Sequence, residues 1–185
     1  MIPACSSAGD FIPTTPIQSA SSWPVFVPPP QRDEILAYFT DRFGIARTAF
    51  RGLRLLERQK LFVLLRESVH LSALAGLNVQ GVGLPVLRKM PRHLKPTTAA
   101  LQRFGHDAVR NTLSLSDNQL QTLLLARELP WQATLQPGYV VLVWEGHVVG
   151  CGLYTPGRLR SQIPRRLSAH LRLVADGGEV DRFPV

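Results

Sequence analysis

The sequence predicts an α+β fold with a small mixed sheet or barrel in its C-terminal half. Three observations carry that reading. Tyr139-Val140-Val141-Leu142-Val143-Trp144 is a dense β-forming run, and Glu145-Gly146-His147 turns it into a second run from Val148 to Tyr154. Short apolar segments recur at close spacing from Leu53 onward, which favours a barrel over a doubly wound sheet. Helical spacing is confined to a few brief stretches between them.

Taken in order, residues 1–31 are rich in Ser, Thr and Pro and end in Pro28-Pro29-Pro30, which reads as a flexible or extended arm. Within it, Trp23, Val25, Phe26 and Val27 have the character of a short docking segment. Residues 32–44 read as a helix, with Ile35, Leu36, Tyr38, Phe39 and Phe43 on one face and Gly44 as its stop. Residues 53–66 fit a hairpin with Glu57-Arg58-Gln59-Lys60 as its polar turn; a helix is the alternative. Residues 67–75 fit a short helix, and 76–87 a short strand bent at Gly81 and Gly83. Thr97 or Thr98 caps a helix to Phe104 that ends at Gly105. Asn111–Leu115 reads as a strand, and Ser116 with Gln119 forms a capping box for a helix to about Ala126. The last dozen residues, with Gly177-Gly178, read as a weak strand or tail. The expected division is an arm (1–31), a small α/β pre-domain (32–75), a barrel domain (76–175) and a tail (176–185).

Charge sharpens the functional reading. The chain of 185 residues carries 21 Lys+Arg against 13 Asp+Glu, a net +8. Eighteen of those cations are arginine, whose planar fork grips phosphate bidentately. Residues 88–172 hold twelve cations and four acids, so this stretch alone is +8. Two clusters dominate it: Arg88, Lys89, Arg92 and Lys95, then Arg158, Arg160, Arg165 and Arg166. Clusters of this kind neutralise nucleic-acid phosphates. The competing reading is a solvated surface, or pairing with Asp176, Glu179 and Asp181 of the tail.

Enzyme chemistry finds no foothold. There is no Gly-rich nucleotide loop, no H-E-x-x-H and no Cys-x-x-Cys, and the five histidines are scattered. Cys5 has no base beside it, and Cys151 reads as a small core residue in a strand. No catalytic residue, metal or cofactor is expected. No apolar run reaches the roughly 18 residues of a membrane span, no basic leader opens the chain, and two cysteines make no disulfide framework. The expected setting is a reducing cytoplasm.

Several motifs follow one another at family-like distances: Gly138-Tyr139-Val140-Val141-Leu142-Val143, Gly146, Val149-Gly150-Cys151-Gly152, and Leu159-Arg160-Ser161-Gln162-Ile163-Pro164-Arg165. In this order they resemble the C-terminal PUA-like domain of the NOL1/NOP2/Sun family of RNA 5-methylcytosine methyltransferases. Ser161 and Gln162 stand where that family has one Asn, and Ile163 replaces its aromatic. Upstream, Gly83-x-Pro85, Leu94-Lys95-Pro96-Thr97, Leu113-x-Leu115-Ser116 and the Tyr38–Ile45 stretch extend the likeness to roughly residues 33–170. The resemblance implies a PUA-like small mixed β-barrel with flanking short helices and an RNA-binding role on rRNA or tRNA. A methyltransferase or ribosomal protein is the implied companion. Nothing here fits the family's catalytic domain, which needs some 200 residues and two cysteines in Pro-Cys contexts. The expected function is therefore non-catalytic RNA binding, in ribosome assembly or RNA modification. The alternative is a protein-interaction subunit whose basic face meets an acidic partner. Tyr154, Phe104 and Trp144 are candidate base-stacking residues, with core packing as the competing role for each.

Overall fold

A computed structural model describes residues 25–71 and 81–175, the latter without the side chains of His170 and residues 172–175. Two five-stranded sheets share a helix-filled interior. The first is an antiparallel meander in the order β1 (Val25–Phe26), β2 (Leu53–Arg58), β3 (Leu61–Arg66), β4 (Leu84–Lys89) and β5 (Leu94–Pro96). The second has β6 (Thr112–Leu115) parallel to β8 (Gly138–Trp144), then β9 (His147–Thr155), β10 (Gly157–Ser161) and β7 (Glu128–Trp131), each antiparallel to its neighbour.

Helix α1 (Pro29–Phe43) begins on a proline, whose fixed φ suits a first helical turn, and buries Leu36, Phe39 and Phe43 along one stripe. Gly44, at φ 72°, closes it with an N–H bond to the Thr40 carbonyl at 2.9 Å. Short α2 (Thr98–Phe104) is capped by Thr97, whose hydroxyl accepts from the Ala100 N–H at 3.0 Å. Helix α3 (Asp117–Ala126) starts on the complete Ser116–Gln119 capping box. It supplies the crossover that a parallel pair such as β6 and β8 requires. Helix α4 (Arg165–Ala175) follows β10.

Two apolar clusters organise these parts. One joins α1, α2 and both sheets through Phe39, Phe43, Phe50, Phe62, Leu101, Phe104, Val141 and Cys151. The other fills the opposite face of the second sheet with Leu120, Leu123, Val140, Leu142, Leu159 and Ile163, under α3 and α4. The middle of the second sheet is thus buried on both sides, which explains why β8 reads as a continuous apolar run with no alternation. Arg42 on α1 ties the halves together: its Nε donates to the Tyr139 carbonyl at 2.7 Å and a terminal nitrogen to the Gln136 carbonyl at 2.9 Å.

The α+β class and the two hairpins stand as expected. Glu145 and Gly146 (φ 47° and 78°) form the two-residue turn between β8 and β9, and β2 and β3 pair from Leu53↔Arg66 to Arg58↔Leu61. Several boundaries move. The expected arm of residues 1–31 gives way at residue 25: β1 pairs with β2, and α1 begins at Pro29. The rest of the arm, residues 1–24, lies outside the described residues. The expected division at residue 76 falls inside the first sheet, because β4 pairs with β3 across it. The short helix expected at 67–75 shows only the turn at 69–71, and residues 72–80 lie outside the description. Strand β7 and helix α4 have no counterpart in the expected elements. The tail, residues 176–185, is outside the described residues.

Candidate nucleic-acid interface

The eight basic residues expected to hold RNA do not sit mainly in loops. Arg88 and Lys89 lie on β4, Lys95 on β5, Arg158 and Arg160 on β10, and Arg165 and Arg166 in the first turn of α4; only Arg92 occupies a turn, between β4 and β5. Strand alternation then decides which way each points.

Adjacent on β4, Arg88 and Lys89 face opposite sides. Lys89 pairs with Glu57 and lies over the Phe62 ring, 4.8 Å from its centroid, so it serves the first sheet. Arg88 is exposed and, with Lys95, lines a groove of about 390 Å³ whose other wall is Thr98, Gln162 and Pro164. The Lys95 ammonium donates to Gln162 Oε1 at 2.5 Å, across 67 residues of sequence. This contact brings the two basic clusters together: Gln162 stands two residues beyond Arg160, and Pro164 immediately precedes Arg165.

Arg158 and Arg160 are exposed on β10, with Leu159 between them turned into the core. Both face Glu128 on the neighbouring strand, which reaches Arg160 at 3.5 Å and Arg158 at 3.7 Å. Glu128 is the counter-ion seen here for Arg158 and Arg160; the tail acids expected to compete for them lie outside the described residues. The bridges are half exposed and therefore weak. Arg165 and Arg166 are exposed at the positive end of the α4 dipole, where cations cost stability and add to the local positive potential.

The segment between these groups is held rigidly. Arg127, in the left-handed conformation at φ 67°, donates to the carbonyls of Ile163 (2.5 Å) and Ser161 (3.3 Å) and to the Ser168 hydroxyl (3.0 Å). Ile163 is fully buried against Gly150, where an added Cβ would lie 2.9 Å from Ile163 Cγ1.

The proposed stacking residues are corrected. Tyr154 is 2 % exposed, and its hydroxyl donates to the Ala133 carbonyl at 2.8 Å; Phe104 packs on Phe50 with ring centroids 4.9 Å apart. Both are core residues. Trp144 is half-buried and donates its indole N–H to Asp117 Oδ1 at 2.7 Å, which fastens β8 to the start of α3. Cys151 is buried, and burial pushes its thiol up to about 12, so it is neither nucleophile nor ligand. Among the described residues no group of three or more His, Cys, Asp and Glu could hold a metal ion, and no helix is long and apolar enough to cross a membrane.

Sequence reading missed two features of this surface. One is Glu128, the acid inside the basic face. The other is an aromatic groove formed by Tyr38, His93, Tyr139 and Leu153 beside Arg42 and Gly138.

A mixed sheet sheathed by short helices, paired with a second antiparallel sheet, gives an α+β fold of PUA-like type. The comparison with known families agrees: residues 110–168, from the strand before α3 to the first turn of α4, match the PUA domain of the methyltransferase RsmF. This part of the chain is similar to the PUA domain of the Sun/RsmF methyltransferases, and that similarity points to RNA binding. No curated protein matches the chain.

Proposed function

We propose that this protein binds rRNA or tRNA, at single-stranded as well as paired segments, through one positive surface and performs no chemistry on it. The observation that carries the reading is the meeting of the two basic clusters at the Lys95–Gln162 contact. It sets Arg88 and Lys95 on one wall of a groove whose opposite wall, at Gln162 and Pro164, leads to Arg160 on one side and Arg165 on the other. A sheet surface of this kind does not enter the narrow major groove of A-form RNA. It meets backbone phosphates across the shallow groove or at a loop. The companion is a methyltransferase or ribosomal protein acting on the same RNA in the cytoplasm.

The test is filter binding of a single-stranded RNA decamer across a salt series. Arg160→Ala with Arg165→Ala removes two phosphate contacts, and each contributes about 0.7 to the log–log salt slope. The double variant is expected to bind more weakly, with a slope flatter by about 1.4. Its melting temperature is expected to stay close to wild type, because exposed charges contribute little to folding. Unchanged affinity and slope would remove the RNA face and favour an acidic protein partner.

A further inference from the structure

The aromatic groove lies at the margin of the first apolar cluster, on the face of the second sheet that carries Val141 and Cys151, where α1 and the β4–β5 turn meet β8 and β9. Its shape follows from strand register. Tyr139 on β8 is directly opposite Leu153 on β9, and Leu153 is directly opposite Arg160 on β10. The three side chains therefore form one cross-strand row, and Tyr139 stands two strand spacings, about 10 Å, from Arg160. From the other direction the β4–β5 turn brings in His93, which is exposed and meets the Tyr139 hydroxyl through Nε2 at 3.1 Å. The His93 and Tyr139 rings lie 5.9 Å apart. Arg92 and Lys95 flank His93 in sequence.

Arg42 lies along the β8 end of the groove. Its guanidinium is held by the carbonyls of Tyr139 and Gln136, and it lies so close to Gly138 that a Cβ there would sit 3.0 Å from the guanidinium carbon. Tyr38 closes another side. Burial raises the hydroxyls of Tyr38 and Tyr139 above the usual tyrosine range, so both remain neutral donors beside a polyanion. The groove is open, has a volume of about 380 Å³, and is lined by Tyr38, His93 and Tyr139 together with Leu94, Leu153 and Pro137.

We propose that this groove receives one unpaired base of the bound RNA, stacked against the Tyr139–His93 pair, with the flanking phosphates on Arg160 at one side and Arg92 at the other. The inference rests on the RNA-binding reading above and assigns its base-contacting subsite. Charge complementarity selects the occupant. An apolar ring-lined cleft flanked on both sides by cations matches an aromatic base carried on an anionic backbone, and stacking of this kind tolerates any base.

The experiment uses the full chain and a U10 single-stranded RNA bearing one 4-thiouridine. Irradiation is expected to crosslink the RNA to a peptide containing Tyr139 or His93. Tyr139→Leu is expected to weaken binding about tenfold. The salt slope is expected to stay unchanged, because no phosphate contact is lost. His93→Ala replaces an exposed side chain and is expected to weaken binding in the same direction, so it decides the matter where Tyr139→Leu fails to fold. If the wild type binds RNA but His93→Ala binds equally well and crosslinks map only to the Arg158–Arg166 stretch, the base subsite is overturned while the RNA reading stands. If the wild type binds no RNA at low salt, both fall.

Discussion

Neutralising Glu128 is expected to tighten RNA binding. Its carboxylate lies 3.5 Å from Arg160 and 3.7 Å from Arg158, with all three side chains about half exposed. Glu128→Gln keeps the shape and removes one negative charge from the face assigned to phosphate. The folding cost is small, about 0–1 kcal/mol for each exposed bridge. A phosphate held by Arg160 at hydrogen-bond distance stands roughly 6 Å from the Glu128 carboxylate, adding about 3 Å for the phosphate contact to the bridge. In water a pair of like charges at 6 Å repels by about 0.7 kcal/mol, which is a factor of about three in affinity. Screening leaves most of that gain at 10 mM salt, about half at 150 mM, and little at 1 M, where the Debye length is about 3 Å. Filter binding of the decamer by wild type and Glu128→Gln at these three salt concentrations reads the effect, with thermal melting as the control for folding. Equal or weaker binding by Glu128→Gln at 10 mM salt, with an unchanged melting temperature, would refute the assignment of phosphate to β10.

Gly150→Ala is expected to destabilise the fold by about 1–3 kcal/mol, the ordinary cost of overpacking. The new Cβ would lie 2.9 Å from Ile163 and 3.0 Å from Thr98 at a backbone φ of +153°; urea denaturation measures the loss. Alkylation of Cys151 by iodoacetamide at pH 8 is expected to wait for unfolding, because burial pushes the folded thiol from 9.0 up to about 12, and mass spectrometry of the native and urea-treated chain checks it. The same shift fixes the sign of a pH effect. Well below pH 9 the thiol is protonated in both states and contributes no pH dependence. Between about 9 and 12 the unfolded chain loses the proton that the folded chain keeps, so stability falls as pH rises, and Cys151→Ala is expected to flatten that fall.

Local signals placed most of the elements. Ser116 with Gln119, Thr97 before its helix, Gly44 after Phe43 and the Glu145-Gly146 turn each satisfy a backbone group within a few residues, and each stands where local chemistry puts it. Proline misled at one end. Pro29 and Pro30 were expected to continue an extended arm, but proline is also a good first helical residue, and α1 takes both. Strand β7 was illegible because Glu-Leu-Pro-Trp carries a proline that suits only an edge, and its pairing with Arg158 depends on a strand nearly thirty residues away. The site was legible as charge and illegible as shape. The basic clusters are visible in the chain, but alternation on β4 separates Arg88 from Lys89. The groove of Tyr38, His93, Tyr139 and Leu153 draws on three separated stretches of chain. Tyr139 itself is masked by a strand that is apolar on both faces.

The crossing of α2 and α1 onto the second sheet has a consequence for autonomy. The segment that matches a known domain, residues 110–168, contains the whole second sheet, yet Val141 and Cys151 on one of its faces are covered by Phe39, Phe43, Leu101 and Phe104 from outside it. Excised, that segment would present a bare apolar face to water. It would also lack His93, Arg92, Lys95 and Arg88, half of the surface assigned to RNA. The inheritable unit is therefore larger than the recognisable one: transplanting the proposed binding surface onto another protein requires α1 and the first sheet as well, because α1 supplies Tyr38 and Arg42 to the groove, the β4–β5 turn supplies His93, and α1 and α2 cover the apolar face of β8 and β9.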